Sequence, residues 1–113
     1  MKPALALLAA LALLAAPARA AGLPTLKMLS TKTCPACKQM EKVMQQLATG
    51  YPGKVMTEHV YLEEHPEVAK QYGVRYVPTL IFLDADGEEV AQEVGYRTLE
   101  EVLAIFRKAG VSI

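Results

Sequence analysis

Residues 25–47 read TLKMLSTKTCPACKQMEKVMQQL, and this stretch decides the fold. Thr25 to Ser30 form a run of strand length with Leu26, Met28 and Leu29 apolar, which reads as a buried strand. Thr31 to Thr33 are a polar loop. Cys34-Pro35 then opens a helix, because proline is preset for the first helical turn, where its missing N–H costs no hydrogen bond. Cys37, Met40, Val43, Met44 and Leu47 follow at three- and four-residue steps and share one apolar face. Gly50, Pro52 and Gly53 end the helix.

Working outward toward the C-terminus, Val55 to Leu62 is a β-rich run and a second strand. His65-Pro66 starts a short helix that Gly73 closes. Pro78 precedes Thr79 to Leu83 (TLIFL), apolar enough for an interior strand. Asp84-Ala85-Asp86-Gly87 is a turn, and Glu88 to Val94 returns as the other half of a hairpin. Gly95 breaks that strand. Thr98 caps the last helix with Glu101 at the capping-box spacing, and Leu99, Val102, Leu103 and Phe106 make its buried stripe. The order β-α-β-α-β-β-α predicts an α/β fold: a four-stranded mixed sheet with three helices on both faces. The first two strands should be parallel by the right-handed crossover rule.

Working outward in the other direction, residues 1–20 read MKPALALLAALALLAAPARA. Lys2 precedes an unbroken Ala/Leu run from Ala4 to Ala16, and Ala18-Arg19-Ala20 offers small residues at a cleavage site. That is the plan of a secretory signal peptide cleaved after Ala20. The competing reading, a retained anchor, must cross a membrane with a run well short of the ~20 residues a span needs. The expected organisation is thus a signal over 1–20 and one domain over 21–113, exported, with a bacterial periplasm as the expected compartment. Export places both cysteines against an oxidising background.

The whole chain has 113 residues, 12 Lys+Arg against 12 Asp+Glu, and 52% hydrophobic residues. Without residues 1–20 the apolar share falls to about 46%, an ordinary globular value, and the balance turns slightly acidic. Such a balance argues against a nucleic-acid partner. Two cysteines exclude a four-thiolate zinc site and a protein-held iron–sulfur cluster within one chain. His59 and His65, the two histidines, have no motif spacing relative to the cysteines, so no metal site is expected.

Cys34-Pro35-Ala36-Cys37 carries the chemistry. The two sulfurs are close enough to bond, with only two residues between them. Cys34 falls at the helix cap, where free N–H groups and the positive end of the dipole favour a thiolate. Such placement lowers a thiol pKa from about 8.5 into the 3.5–7.5 range. Cys37 lies one turn further, on the apolar face, and should be more buried. Cys34 then suits the attack on a disulfide, and Cys37 the displacement of the resulting mixed disulfide. A purely structural disulfide is the plain alternative, but closing so short a loop gains little unfolded-state entropy.

With these residues in view, the chain resembles the thioredoxin superfamily from about Leu26 to Ala109. The match is carried by Cys34-Pro35-Ala36-Cys37 with Lys38, by Tyr72-Gly73-Val74-Arg75-Tyr76-Val77-Pro78-Thr79, by the Asp86-Gly87 turn and by Gly95. The resemblance implies a thioredoxin-like fold and a redox-active Cys34–Cys37 disulfide. It also implies a cis Pro78 facing the cysteines, and a Val77 backbone that pairs with a substrate chain as an added strand. The chain departs from the thioredoxin pattern in lacking room for a further strand and helix before the first cysteine-bearing strand. Thr33 replaces an aromatic residue and Pro-Ala replaces Gly-Pro. The family's buried Asp aligns with Met28 and its Lys partner with His59, which leaves His59, or a water, as a candidate proton relay for Cys37. The plain reading of His59 is a partly exposed strand residue. Tyr76-Val77-Pro78 and Gly95-Tyr96-Arg97-Thr98 differ from the glutathione-binding segments of glutaredoxins, so glutathione use is not expected.

The expected function is a monomeric, exported thiol–disulfide oxidoreductase acting on protein thiols and disulfides. It needs no cofactor, since the dithiol itself carries two electrons, and a membrane redox partner is one candidate to supply or accept them. The alternative is a non-enzymatic module of the same fold that captures a partner or a soft metal through the two thiols. Met40 and Met44 belong to the core face of their helix rather than to a metal site. Tyr72 and Tyr76 either rim the Pro78 loop for a partner or cover the sheet. Glu63, Glu64 and Glu67 are accounted for by the start of the short helix, whose dipole they favour.

Overall fold

The computed structural model describes residues 22–113; the expected signal over residues 1–20 lies outside them. Within them the chain forms β1 (Thr25–Ser30), α1 (Pro35–Gly50), β2 (Met56–Tyr61), α2 (Pro66–Tyr72), β3 (Thr79–Leu83), β4 (Glu89–Val94) and α3 (Leu99–Lys108). This is the expected order, and β1 and β3 have the expected bounds. The sheet order is β2-β1-β3-β4. β1 and β2 run parallel, as the crossover through α1 requires, while β3 pairs antiparallel with both β1 and β4. Among the described residues no helix is long and apolar enough to cross a membrane.

Side-chain alternation divides the sheet into two unequal faces. Leu26, Met28, Leu80 and Phe82 point to one side, where the stripes of α1 (Met40, Val43, Met44, Leu47) and α3 (Val102, Leu103, Phe106) close over them. Phe82 and Phe106 meet edge-to-face with centroids 5.0 Å apart, an arrangement that aromatic quadrupoles favour. Val111, beyond the end of α3, returns to seal this core. Leu29, Ile81 and Leu83 point the other way, under Val68 and Tyr72 of α2. β3 is buried along its whole length because both faces are covered.

The helix ends follow their sequence signals. Thr98 accepts from the Glu101 N–H at 3.1 Å while the Glu101 carboxylate accepts from the Thr98 N–H at 2.9 Å, so the capping box is complete. Gly73 takes the left-handed conformation (φ 66°) that ends α2, where a Cβ would be strained. Met40 and Met44 lie in the core, as expected; Met56 is exposed at the start of edge strand β2.

Candidate active site: the Cys34–Cys37 turn

The polar loop after β1 ends at Cys34, which has extended backbone geometry and serves as the N-cap of α1. A cap needs an acceptor for the free N–H groups of the first turn, and here the acceptor is sulfur: Cys34 Sγ receives the Cys37 N–H at 3.1 Å. The same hydrogen bond, together with the helix dipole, favours negative charge on this sulfur once the pair is reduced. Cys34 and Cys37 are joined as a disulfide with Cα atoms 5.2 Å apart, within the ordinary range for such a bond. Cys34 is 8% exposed and Cys37 1%. The expected order of burial therefore holds, although the outer cysteine is itself largely covered.

The loop before Cys34 is tied down by the segment that follows the neighbouring strand β2. The Lys32 N–H donates to Glu63 Oε2 at 2.8 Å, and Lys32 Nζ pairs with Glu64 Oε2 at 2.7 Å. The hydrogen bond and charge of Lys32 hold the Glu64 carboxyl below the usual carboxylate range, and the same contact raises the Lys32 ammonium. This corrects the reading of the three glutamates as a group serving the helix dipole. Only Glu67 lies in the first turn of α2, whereas Glu63 and Glu64 hold the cysteine loop. The contact spans 31 residues, so no local pattern reports it.

The sheet register brings the second expected element to the same end. Leu29 pairs with Thr79, so the segment just before Thr79 lies beside the end of β1 that leads into Cys34. The Val77–Pro78 bond is cis, as the family resemblance implied. Pro78 is buried and Val77 half-buried. Two hydrogen bonds fix this turn: Thr79 Oγ1 donates to the Tyr76 carbonyl at 2.6 Å, and the Gly95 N–H donates to the Pro78 carbonyl at 2.8 Å. Arg97 braces the adjoining loop, donating to the Val94 and Tyr96 carbonyls and pairing with Glu93 at 2.8 Å. The two tyrosines beside the turn divide between the two readings given above. Tyr72 packs on the sheet and its hydroxyl accepts from Lys27 Nζ at 3.3 Å, while Tyr76 is 67% exposed.

His59 sits on edge strand β2, paired in register with Met28 and exposed. Its Nε2 is hydrogen-bonded to Oγ of Ser30 at 2.5 Å, and its ring lies 4.4 Å from that of Tyr61. Ser30 was not singled out by the sequence, since a serine ending a strand reads as the start of a turn. Among the described residues no three His, Cys, Asp or Glu side chains gather as a metal-binding group.

Comparison with known proteins agrees with this geometry. The family model for a thioredoxin-like domain matches residues 13–110. The chain therefore belongs to the thioredoxin-like family. It is 37% identical over 62 residues to Thioredoxin 1 of Nostoc, an alignment covering 55% of this chain and 57% of the relative. With the thioredoxin of Alicyclobacillus acidocaldarius it shares 32% over 71 residues, covering 63% and 67% of the two chains. The chain thus spans little more than half the length of the first of these relatives. Among solved structures, one described as a malarial protein superposes with TM-score 0.73 at 21% identity, over 80% of this chain and all of its own. Thioredoxin-2, described as a component of malaria parasite protein secretion machinery, gives 0.70 at 21% identity, over 76% and 82%. These two likenesses establish the fold.

Proposed function

We propose that this protein is an exported thiol–disulfide oxidoreductase that exchanges disulfides with protein substrates through Cys34 and Cys37. The observation that carries this reading is the capped pair itself: one sulfur accepts a helix-terminal N–H, and the other is one turn deeper and within bonding reach. In the reducing direction the Cys34 thiolate attacks a substrate disulfide. A Cys34–substrate S–S bond forms, the substrate S–S bond breaks, and one substrate sulfur leaves as a thiolate. Cys37, deprotonated, then attacks Cys34 Sγ; the Cys34–Cys37 bond forms and the second substrate sulfur leaves. Two electrons pass from the dithiol to the substrate, and the oxidising direction is the reverse. Val77 and Pro78 are the docking residues, with the Val77 backbone pairing to an extended substrate segment.

The direction of flow is set by the reduction potential of the pair. A value near −270 mV, about that of thioredoxins, makes the protein a reductant, and one near −120 mV makes it an oxidant. As a reductant outside the cytosol it would draw electrons from a membrane partner.

The test is single-residue replacement with a disulfide-containing protein such as insulin. Cys34→Ser should abolish turnover, and Cys37→Ser should accumulate a mixed disulfide at Cys34, visible by mass spectrometry. Turnover that survives Cys34→Ser would overturn the assignment. Export is checked separately: the product recovered outside the cytosol should begin at Ala21.

A further inference from the structure

The resolving step, on the reading above, requires a thiolate at Cys37, yet this sulfur belongs to a side chain only 1% exposed. A thiol in such surroundings resists ionisation, so its proton must pass to a base within reach. α1 and α3 close an apolar core over this face of the sheet, and polar side chains there are few. Among the described residues Ser30 is one of two buried polar residues, at 0% exposure. Strand alternation places it on the same face as Leu26 and Met28, the face that α1 covers. It is the last residue of β1, at the strand end from which the chain enters α1. Cys37 lies in the first turn of that helix, one turn before Met40, which packs with Met28 in the core. The topology thus brings Ser30 to the end of the sheet from which the cysteine-bearing helix starts, on the face that helix covers.

From Ser30 the path leads outward. Its hydroxyl is bonded to Nε2 of His59, and His59 is exposed on the edge strand. A cleft of about 220 Å³ between α1 and β2 has His59 on its wall and Met28 at its floor. The titratable groups on the imidazole's side of the sheet are Glu41 from α1 and Tyr61 from β2; β1 contributes the neutral Ser30 and Met28, and Glu58, which also borders the cleft, turns its carboxylate to Lys27 on the other face. Glu41, one helical turn beyond Cys37, and His59 line this cleft from its two sides.

We propose that Ser30 and His59 form a hydroxyl–imidazole relay that takes the proton of Cys37 during the resolving step. The S–H proton passes to Ser30 Oγ as the hydroxyl's own proton passes to His59 Nε2. The Cys37 thiolate then attacks Cys34 Sγ, the Cys34–Cys37 bond forms, and the substrate sulfur departs as a thiolate. The imidazolium returns its proton to solvent. This rests on the thiol-exchange reading, and the experiment separates the two.

The reduced protein is mixed with 5,5′-dithiobis(2-nitrobenzoate) in a stopped-flow instrument. Release of the first coloured thiolate reports attack by Cys34, and release of the second reports displacement by Cys37. Failure of the first release would count against the exchange reading. With the first release intact, His59→Gln should slow the second on the order of 10²-fold at neutral pH, the scale of general-base catalysis. It should also remove the acidic limb that an imidazole, which changes charge between pH 5 and 8, imposes on that step. Ser30→Ala should do the same while leaving His59 in place, and Ser30→Thr, which keeps the hydroxyl, should restore the rate. Thermal unfolding of each variant checks that the fold is retained. A second release unchanged in rate and pH profile by His59→Gln would overturn the relay. A profile lost in His59→Gln but intact in Ser30→Ala would overturn the part given to Ser30.

Discussion

The two faces of the sheet are built to different standards. On one, thirteen buried side chains from the sheet, α1, α3 and the C-terminal segment interlock. On the other, three buried side chains lie under α2, a helix of seven residues with none of its own buried. Even the central strand β1 carries a charge on this thin side: Lys27 Nζ lies 3.5 Å from Glu58 and 5.3 Å from the centre of the Tyr72 ring. The two parts of the candidate site straddle this difference. Cys34 and Cys37 open the helix of the thick face, whereas the turn ending at Pro78 is reached through α2 from the thin one. The two sulfurs are therefore anchored at the start of the helix that covers the larger core. The Pro78 turn is buried at Pro78 itself and is held by hydrogen bonds from Thr79 and Gly95, while the α2 that leads into it buries none of its own side chains.

The sharpest way to break this comparison is to delete equivalent contacts on the two sides. Phe106→Ala, on the thick face, should cost about 3–5 kcal/mol of unfolding free energy. Val68→Ala, in the half-buried contact of α2 with the thin face, should cost about 1 kcal/mol, as expected for two methylenes only partly removed from water. Denaturant unfolding of both variants measures the contrast, and equal losses would refute it.

A smaller effect sharpens the comparison at Lys27. Burial works against its ammonium, but the Tyr72 hydroxyl and the Glu58 carboxylate outweigh that, and the group is held above its ordinary value of 10.5. A raised lysine contributes stability that is fully present below the unfolded value and lost as pH rises through the folded one. Lys27→Met should therefore lower the neutral-pH melting temperature slightly and flatten the loss of stability above about pH 10.5. Melting curves of the two proteins from pH 9 upward decide this, because every other alkaline titration is common to both.

Much of this architecture was legible in the residues. The three-and-four spacing from Cys37 to Leu47, the Pro35 and Pro66 helix starts, the Thr98–Glu101 box and the TLIFL run are local signals, and each marks an element that formed. The Cys34-to-Cys37 spacing gave the site its chemistry for the same reason, since two residues and a helix cap fix where both sulfurs lie. Glu63 and Glu64 show the limit. By composition they belong to the nearest helix, yet they hold the Lys32 loop at the end of the neighbouring strand, and nothing within a few residues distinguishes the two fates.

Determined by the sequence alone were the elements, their order and the identity of the two sulfurs, because backbone hydrogen bonding and apolar periodicity act over a few residues. Only the tertiary structure decided what surrounds those sulfurs. The β2-β1-β3-β4 order brings the Pro78 turn to the cysteine end, and the parallel register of β1 and β2 sets His59 beside Ser30. These neighbours lie tens of residues apart in the chain, and they meet because the sheet sets strands distant in sequence side by side in one register.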